Sequence, residues 1–221
     1  VHYAQTVASA LYEQTWERLF AALYDRSMRE TEAAGLRARR ERLLDEARGR
    51  VLELGAATGL NLALYPRSVR ALVLSEPSPP MAARLRRRTA RAGRSVQVLE
   101  APAERLPLPD ASFDTVVSTL VLCTVNDVES ALREVARVLR PGGRLLFIEH
   151  VKAEDNARRA RWQDRLERPW RFVAAGCHCN RDTLALLAAS PLAVEHVERG
   201  KLRKAPPIVR PLLQGSAVRA A

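Results

Sequence analysis

Val51-Leu52-Glu53-Leu54-Gly55-Ala56-Ala57-Thr58-Gly59 is the stretch on which the reading of this 221-residue chain turns. Apolar and acidic residues alternate as in a short strand, and the chain then runs directly into small residues. Leu60-Asn61-Leu62 restores an apolar pattern. This predicts a strand over 50–54, a tight turn and the N-terminus of a helix. Small side chains in such a turn let a ligand lie against the backbone, and the free N–H groups of a helix start can point at it. A nucleotide-like cofactor is the first expectation.

Outward from that stretch, strands and helices alternate. Strands are expected over 69–75, ending at Glu76, over 95–99, over 113–122 and over 144–150, ending at His150. A helix over 80–92 tolerates proline in its first turn and is closed by Gly93. A second, capped by Asn126 or Asp127, runs to 139 and is terminated by Pro141-Gly142-Gly143. Alternation of this kind predicts an α/β fold with a mostly parallel sheet covered on both faces. Ligands in such sheets bind outside the carboxyl ends of the strands. Residues 53–59, Glu76, the loop 101–106, residues 119–123 and His150 all fall at those ends.

The flanks read differently. A helix is expected over 3–24, with Leu11, Thr15, Leu19, Ala22 and Leu23 near helical spacing. Asp25 and Ser27 would cap a second helix over 28–48, broken at Gly35 and ended by Gly49. After His150, a helix over 154–167 carries Trp162 and is ended by Pro169-Trp170. A turn at 176–180, a helix over 182–189 and strands over 192–199 and 212–218 complete the chain. The organisation expected is a helical lid over 1–48 and a cofactor-binding domain over 49–221, with a substrate-side insert at about 151–190.

A chain of this length builds one substantial core. No apolar run approaches the ~18–20 residues of a membrane span, and the N-terminal residues lack the pattern of a secretory signal, leaving only peripheral contact with a membrane. Three cysteines, Cys123, Cys177 and Cys179, make no disulfide framework, which predicts a reducing, cytoplasmic setting. The net charge of +11 is almost entirely arginine. Its clusters lie on expected helices with interleaved acids, so solvated faces explain it better than phosphate contacts. The densest run, Arg84 to Arg94, has no interleaved aromatics, and no nucleic-acid partner is expected.

The spacing discriminates between cofactors. A dinucleotide site wants G-x-G-x-x-G after the first strand and an acid about twenty residues on. From Gly55 the corresponding positions are Gly55, Ala57 and Leu60, so two glycines are missing. Glu76 stands at the right distance, but several nucleotide sites share a ribose-binding acid. By contrast, Glu53, Gly55 and Gly59 resemble the first motif, [ED]-x-G-x-G-x-G, of the class I S-adenosylmethionine-dependent methyltransferases, with Ala57 in place of the middle glycine. Glu76 resembles the acid that holds the ribose hydroxyls, residues 103–107 the adenine-side loop, and Leu139-Arg140-Pro141-Gly142-Gly143 the turn before the fifth strand. Residues 119–125, 147–151, Trp162-Gln163, Pro169-Trp170 and Gly176-Cys177 are similar, in order and spacing, to the methyltransferase-like seven family of thiol methyltransferases.

That resemblance implies a Rossmann-like, seven-stranded sheet whose last strand is antiparallel. It also implies S-adenosyl-L-methionine as cofactor, S-adenosyl-L-homocysteine as product and methyl transfer to a small-molecule acceptor, a thiol for preference. O-, N- or C-methylation, or a cofactor-binding protein without catalysis, are the alternatives. The residues expected against the cofactor are Glu53, Gly55, Ala56, Thr58, Gly59, Glu76, Pro77, Ala103, Glu104, Thr119 and Leu120. Glu53 would meet the amino group or pin the turn. Thr119 and Leu120 would line the pocket or simply pack in the strand. Tyr24, Cys123, Trp162, Cys177 and His178 are the substrate-side candidates, with Trp16 and Trp170 as further aromatic lining. His150 is the candidate base, with orientation of its loop as the alternative. Cys177-His178-Cys179 supplies too few ligands for zinc, and no metal is expected.

Overall fold

A computed structural model describes the backbone of residues 2–220 and the side chains of residues 15–220. Strands β1 (Gly49–Leu54), β2 (Val69–Ser75), β3 (Val96–Leu99), β4 (Phe113–Thr119), β5 (Leu139–His150), β6 (Leu192–Lys201) and β7 (Pro211–Arg219) form one sheet in the order β3-β2-β1-β4-β5-β7-β6. The pairs from β3 to β5 are parallel, and β7 runs antiparallel to both β5 and β6. Strand order reverses at β1 and β4, which puts the ligand crevice at the carboxyl ends of those two strands. The expected seven-stranded, Rossmann-like architecture is present.

Two apolar layers hold it. Leu52, Leu54, Val116, Leu145 and Phe147 pack with Leu132 and Val135 of α4 (Val128–Val138) on one face. Val51, Leu72, Leu74, Val117, Leu146 and Ile148 pack with Leu43 and Leu44 of α2 (Arg37–Leu44) and Leu85 of α3 (Pro79–Thr89) on the other. Strands buried on both faces need near-continuous apolar runs, which these sequences supply. Asp127 caps α4 by accepting the Ser130 N–H at 3.0 Å.

Several expected boundaries move. The first helix does not stop at Asp25 and Ser27: α1 spans His2–Thr31 without a break. Ser27 Oγ donates back to the Tyr24 carbonyl at 2.8 Å, and the Asp25 carboxylate is engaged elsewhere, so neither caps a helix. Leu11, one of the expected apolar positions, lies outside the described side chains. The break expected at Gly35 is present as a π-turn at Glu32–Leu36, where Gly35 takes φ 127°. Gly49 ends no helix; α2 stops at Leu44 and Gly49, at φ 69°, opens β1. β4 ends at Thr119 rather than running to 122, because Leu120 adopts φ 61° and turns the chain. Pro141-Gly142-Gly143 belong to β5, which starts at Leu139.

The helix expected after Gly59 is absent. Residues 55–61 form consecutive tight turns, closed by Gly59 N–H to Ala56 O at 2.8 Å and Leu62 N–H to Gly59 O at 3.2 Å, and only a short 3₁₀ turn at Leu62–Leu64 follows. No helix N-terminus aims its N–H groups at the crevice there. Pro169 also fails to end its helix: α5 spans Ala157–Val173. The short helix α6 (Thr183–Ala188) is capped by Asp182. Gln163 ties α5 to the segments flanking the sheet, donating to the Val151, Cys179 and Ile208 carbonyls at 2.7–3.0 Å and accepting from Ala153 N–H at 2.8 Å.

Candidate active site

The turn after β1 is built around Glu76. Its Oε2 accepts the Ala57 N–H at 2.7 Å and its Oε1 accepts the Ser78 N–H at 2.9 Å. Glu76 is buried, and that burial pushes its pKa above the usual carboxylate range. Ala57 therefore serves the turn through its N–H rather than crowding a ligand with its methyl group. Its φ of 47° is the left-handed region, which costs a non-glycine residue about 1–2 kcal/mol. Ala57→Gly relieves that strain but adds freedom to the unfolded chain. The net expectation is a gain of roughly 0.5–1 kcal/mol, read as a higher urea midpoint. A lower midpoint would show that the methyl group contributes packing instead.

Gly55 and Gly59 have no room for a side chain. At φ 50° and 85°, their added Cβ atoms would meet Val121 Cγ1 and Leu85 Cδ1, each at 2.8 Å. Thr58 is buried and donates to Asp25 Oδ1 at 2.5 Å, and Arg88 Nη2 reaches the other oxygen of Asp25 at 2.6 Å. Asp25 thus fastens α1 across the turn. Tyr24, beside it, has its phenol pushed up to about 12 by burial, within electrostatic reach of Arg40, Glu76 and Cys123.

Glu53, at the end of β1, heads a buried polar network. It accepts from Asn61 Nδ2 at 3.0 Å and from the Tyr65 hydroxyl at 2.7 Å. Arg40 Nη1 donates to Asn61 Oδ1 at 3.0 Å and to Thr119 Oγ1 at 2.7 Å, and its Nε pairs with Glu32 at 3.0 Å. Burial raises the Glu53 carboxyl to about 7, against the pull of Tyr65, Arg40 and Asn61. Sequence reasoning missed Arg40, Asn61 and Tyr65. One signal was there: Arg40 sits among Leu36, Leu43, Leu44 and Ala47, all buried at helical spacing, so the arginine interrupts an apolar face.

The remaining cofactor-side candidates have other surroundings. Ala56 is buried behind the turn, Pro77 is exposed after Glu76, and Ala103 packs in the core. Glu104 accepts the Asn126 N–H at 2.8 Å and so holds the approach to α4. Leu120 N–H donates to the Ile148 carbonyl at 2.7 Å. Behind this turn, Glu149 accepts from Ser118 Oγ and the Val121 and Leu122 N–H groups at 2.7–3.1 Å, fixing the chain where it leaves β4.

A second cluster forms at the ends of β4 and β5. His150 Nε2 lies 2.9 Å from Cys177 Sγ, and Trp170 Nε1 donates to the same sulfur at 3.2 Å. A hydrogen bond from Cys123 holds the Cys177 thiol below the usual cysteine range, helped by His150 and opposed by burial. Burial disfavours the charged His150 ring, but Cys177 outweighs it and the His150 pKa rises. His178 instead pairs through Nδ1 with Glu167 at 2.8 Å, while its N–H donates to the Cys123 carbonyl at 2.8 Å. Trp162 is displaced from its expected role: it is 47% exposed on α5, under the Arg165 guanidinium, and Trp170 supplies the ring at Cys177. Trp16 stacks on Phe172, joining α1 to α5.

A cavity of about 320 Å³ lined by Val151, Lys152, Glu154, Arg159, Arg199 and Pro211 includes none of the candidate site residues, and its charged side chains set it apart from the crevice. Part of the basic run on α3 is neutralised, Arg86 by Glu100 and Arg88 by Asp25. Among the described residues no helix is long and apolar enough to cross a membrane.

Residues 52–147 match the family described as Methyltransferase domain. The chain is 36% identical over 176 residues to the human thiol S-methyltransferase TMT1A, covering 76% of this chain and 70% of that one. It is 42% identical over 121 residues to the demethylmenaquinone methyltransferase of Thermus thermophilus, covering 52% of this chain and 55% of that one. A crystal structure of an S-adenosylmethionine-dependent methyltransferase from Mesorhizobium loti superposes with a TM-score of 0.61 at 26% identity, covering 86% of this chain and 98% of that chain.

Proposed function

The chain belongs to the class I S-adenosylmethionine-dependent methyltransferases, in the thiol methyltransferase family, and from that membership we propose that it methylates the sulfur of a small-molecule thiol. When bound, S-adenosylmethionine supplies an electrophilic methyl group on a sulfonium. The donor set fits that cofactor. Glu76 and Glu53 are buried carboxylates at adjoining strand ends, and each oxygen keeps a lone pair beyond the hydrogen bonds it already accepts. Glu76 would take the ribose hydroxyls and Glu53 the amino group. The turn 55–59, Thr119 and Leu120 would line the slot, and Pro77, Ala103 and Glu104 would flank the base. The helical segment before β1 acts as a lid, closed by the Asp25–Thr58 contact, that excludes water from the displacement.

The observation that carries the thiol reading is the sulfur-rich cluster of Cys123, Cys177 and His150 at the ends of β4 and β5. Methyl transfer to a thiol needs little base, since a pKa near ~8.5 leaves about 3% ionised at neutral pH, whereas a phenol near ~10 is ionised about thirtyfold less. The rival is C-methylation of a quinol-like ring, since the Thermus relative is named a demethylmenaquinone methyltransferase. A panel of alkyl and aryl thiols, phenols, amines and quinols separates them. Thiols are expected to exceed phenols by at least about tenfold in kcat/KM, within the roughly thirtyfold margin of the ionised fractions, and to exceed amines and quinols as well. Equal or faster turnover of a quinol would sink the thiol assignment.

A further inference from the structure

The Cys177-His178-Cys179 segment read alone has the wrong ligand set for a metal. The fold changes the set. Cys179 is turned away, its sulfur donating to the Gln163 carbonyl at 3.4 Å, and His178 is held by Glu167. In their place Cys123, from the turn after β4, and His150, from the end of β5, come to Cys177. One ligand atom from each of the three residues lies within 4.8 Å of the others, and all three residues are buried. All three cysteines of the chain are free.

We propose that Cys123, His150 and Cys177 form a site for a thiophilic divalent cation of the zinc class, whose fourth position takes the acceptor's sulfur. Zinc binds thiolate at ~2.3 Å and imidazole at ~2.0–2.1 Å, so tetrahedral donors stand about 3.4–3.8 Å apart. The three atoms are already gathered closely enough to reach that shape by sub-ångström side-chain shifts. Two soft sulfurs and one imidazole select zinc over magnesium or calcium. Three protein ligands with one open position is the arrangement of a catalytic site, whereas structural zinc sites are closed by four. The Trp170 N–H, 3.2 Å from Cys177 Sγ, is the outer-shell donor that orients a ligating thiolate. Among the described residues nothing hydrogen-bonds the buried His150 Nδ1, so a proton there leaves Nε2 to face the metal at the cost of one unsatisfied N–H.

The open position has a natural occupant. Val121, two residues before Cys123, stands where a Cβ on Gly55 would lie, so the strand end carrying the cluster abuts the cofactor turn. An acceptor thiol entering there would lose its proton to solvent on coordination. Its sulfur lone pair would form the new S–CH₃ bond while the methyl–sulfonium bond breaks, leaving a neutral thioether on the departing cofactor. This last step rests on the thiol reading; the metal site itself does not.

Reduced, metal-free protein titrated with Co(II) tests the site without any turnover. One equivalent is expected to produce intense sulfur-to-metal charge-transfer absorption, abolished by added Zn(II). Cys123→Ser and Cys177→Ser should lose it and Cys179→Ser should keep it. Trp170→Phe should weaken Zn(II) binding by about 10–100-fold. Absence of the band in the wild-type chain, or its loss in Cys179→Ser with retention in Cys177→Ser, overturns the site. Full thiol methylation by protein verified to be metal-free overturns the metal's part in the reaction and leaves the thiol reading intact. A band insensitive to added thiol, in an enzyme that methylates only phenols or quinols, overturns the occupant assigned to the fourth position.

Discussion

Glu76→Ala is expected to weaken S-adenosylhomocysteine binding by about two to three orders of magnitude in calorimetry. Two effects add. A carboxylate accepting from two ribose hydroxyls contributes about 1.5–3 kcal/mol for each charged hydrogen bond, and each ~1.4 kcal/mol is a factor of ten. The same carboxylate also holds the Ala57 and Ser78 N–H groups. Its loss strands both donors and releases the turn on which the cofactor would lie. Glu76→Gln separates the contributions. One amide oxygen can keep one of the two backbone N–H groups, but the amide NH₂ faces the other donor, so the variant should fall between alanine and wild type. An alanine variant that binds within about threefold of wild type would remove Glu76 from the cofactor site. The thermal midpoint measured alongside distinguishes lost contact from an unfolded turn.

The strand ends were legible because β-sheet burial writes itself into sequence. β2 is found at the residues where its apolar run predicts it, and the Asp127 cap of α4 is where a cap residue precedes an amphipathic run. What failed to read was decided by tertiary contacts. Asp25 and Ser27 look like a helix boundary, yet Asp25 is held by Thr58 and Arg88 from elsewhere in the chain, and α1 passes through. Leu60-Asn61-Leu62 looks like a helix start, yet Asn61 is drawn into the network of Glu53, Arg40 and Thr119, which favours tight turns over a regular helix. The basic cluster at 37–42 reads as one solvated face, although Arg40 points inward while Arg37 pairs with Glu41 at the surface. Cys123 and His150 give no local hint of Cys177, because only the parallel crossover and the insert bring them together.

The Glu53 network yields the second large effect, a linkage between pH, stability and cofactor binding. Burial raises the Glu53 carboxyl from 4.5 to about 7 in the folded chain. Between those values the folded state holds a proton that the unfolded state has lost. Stability is therefore greatest at low pH on this account and falls as pH rises from the unfolded value through about 7. The full difference is on the order of 3 kcal/mol. A cationic amino group placed at Glu53 would favour the carboxylate and reverse the penalty. Binding should then release a proton below pH 7, and affinity should rise with pH until Glu53 is ionised in the free protein. From pH 5 to 8 the expected gain is about two orders of magnitude, from the same shift. Calorimetry of S-adenosylhomocysteine binding in buffers of different ionisation enthalpy reads the released proton directly. Glu53→Gln should remove the Glu53 share of both the stability and the binding profile, because the amide does not titrate, and leave the slope that the raised Glu76 carboxyl adds. Proton release unchanged in that variant would assign the linkage to another group and leave Glu53 as a brace for Asn61 and Tyr65 alone. Release that disappears with Glu53 would mean that the free enzyme bears an electrostatic cost at the end of β1 that the cofactor's charge offsets on binding.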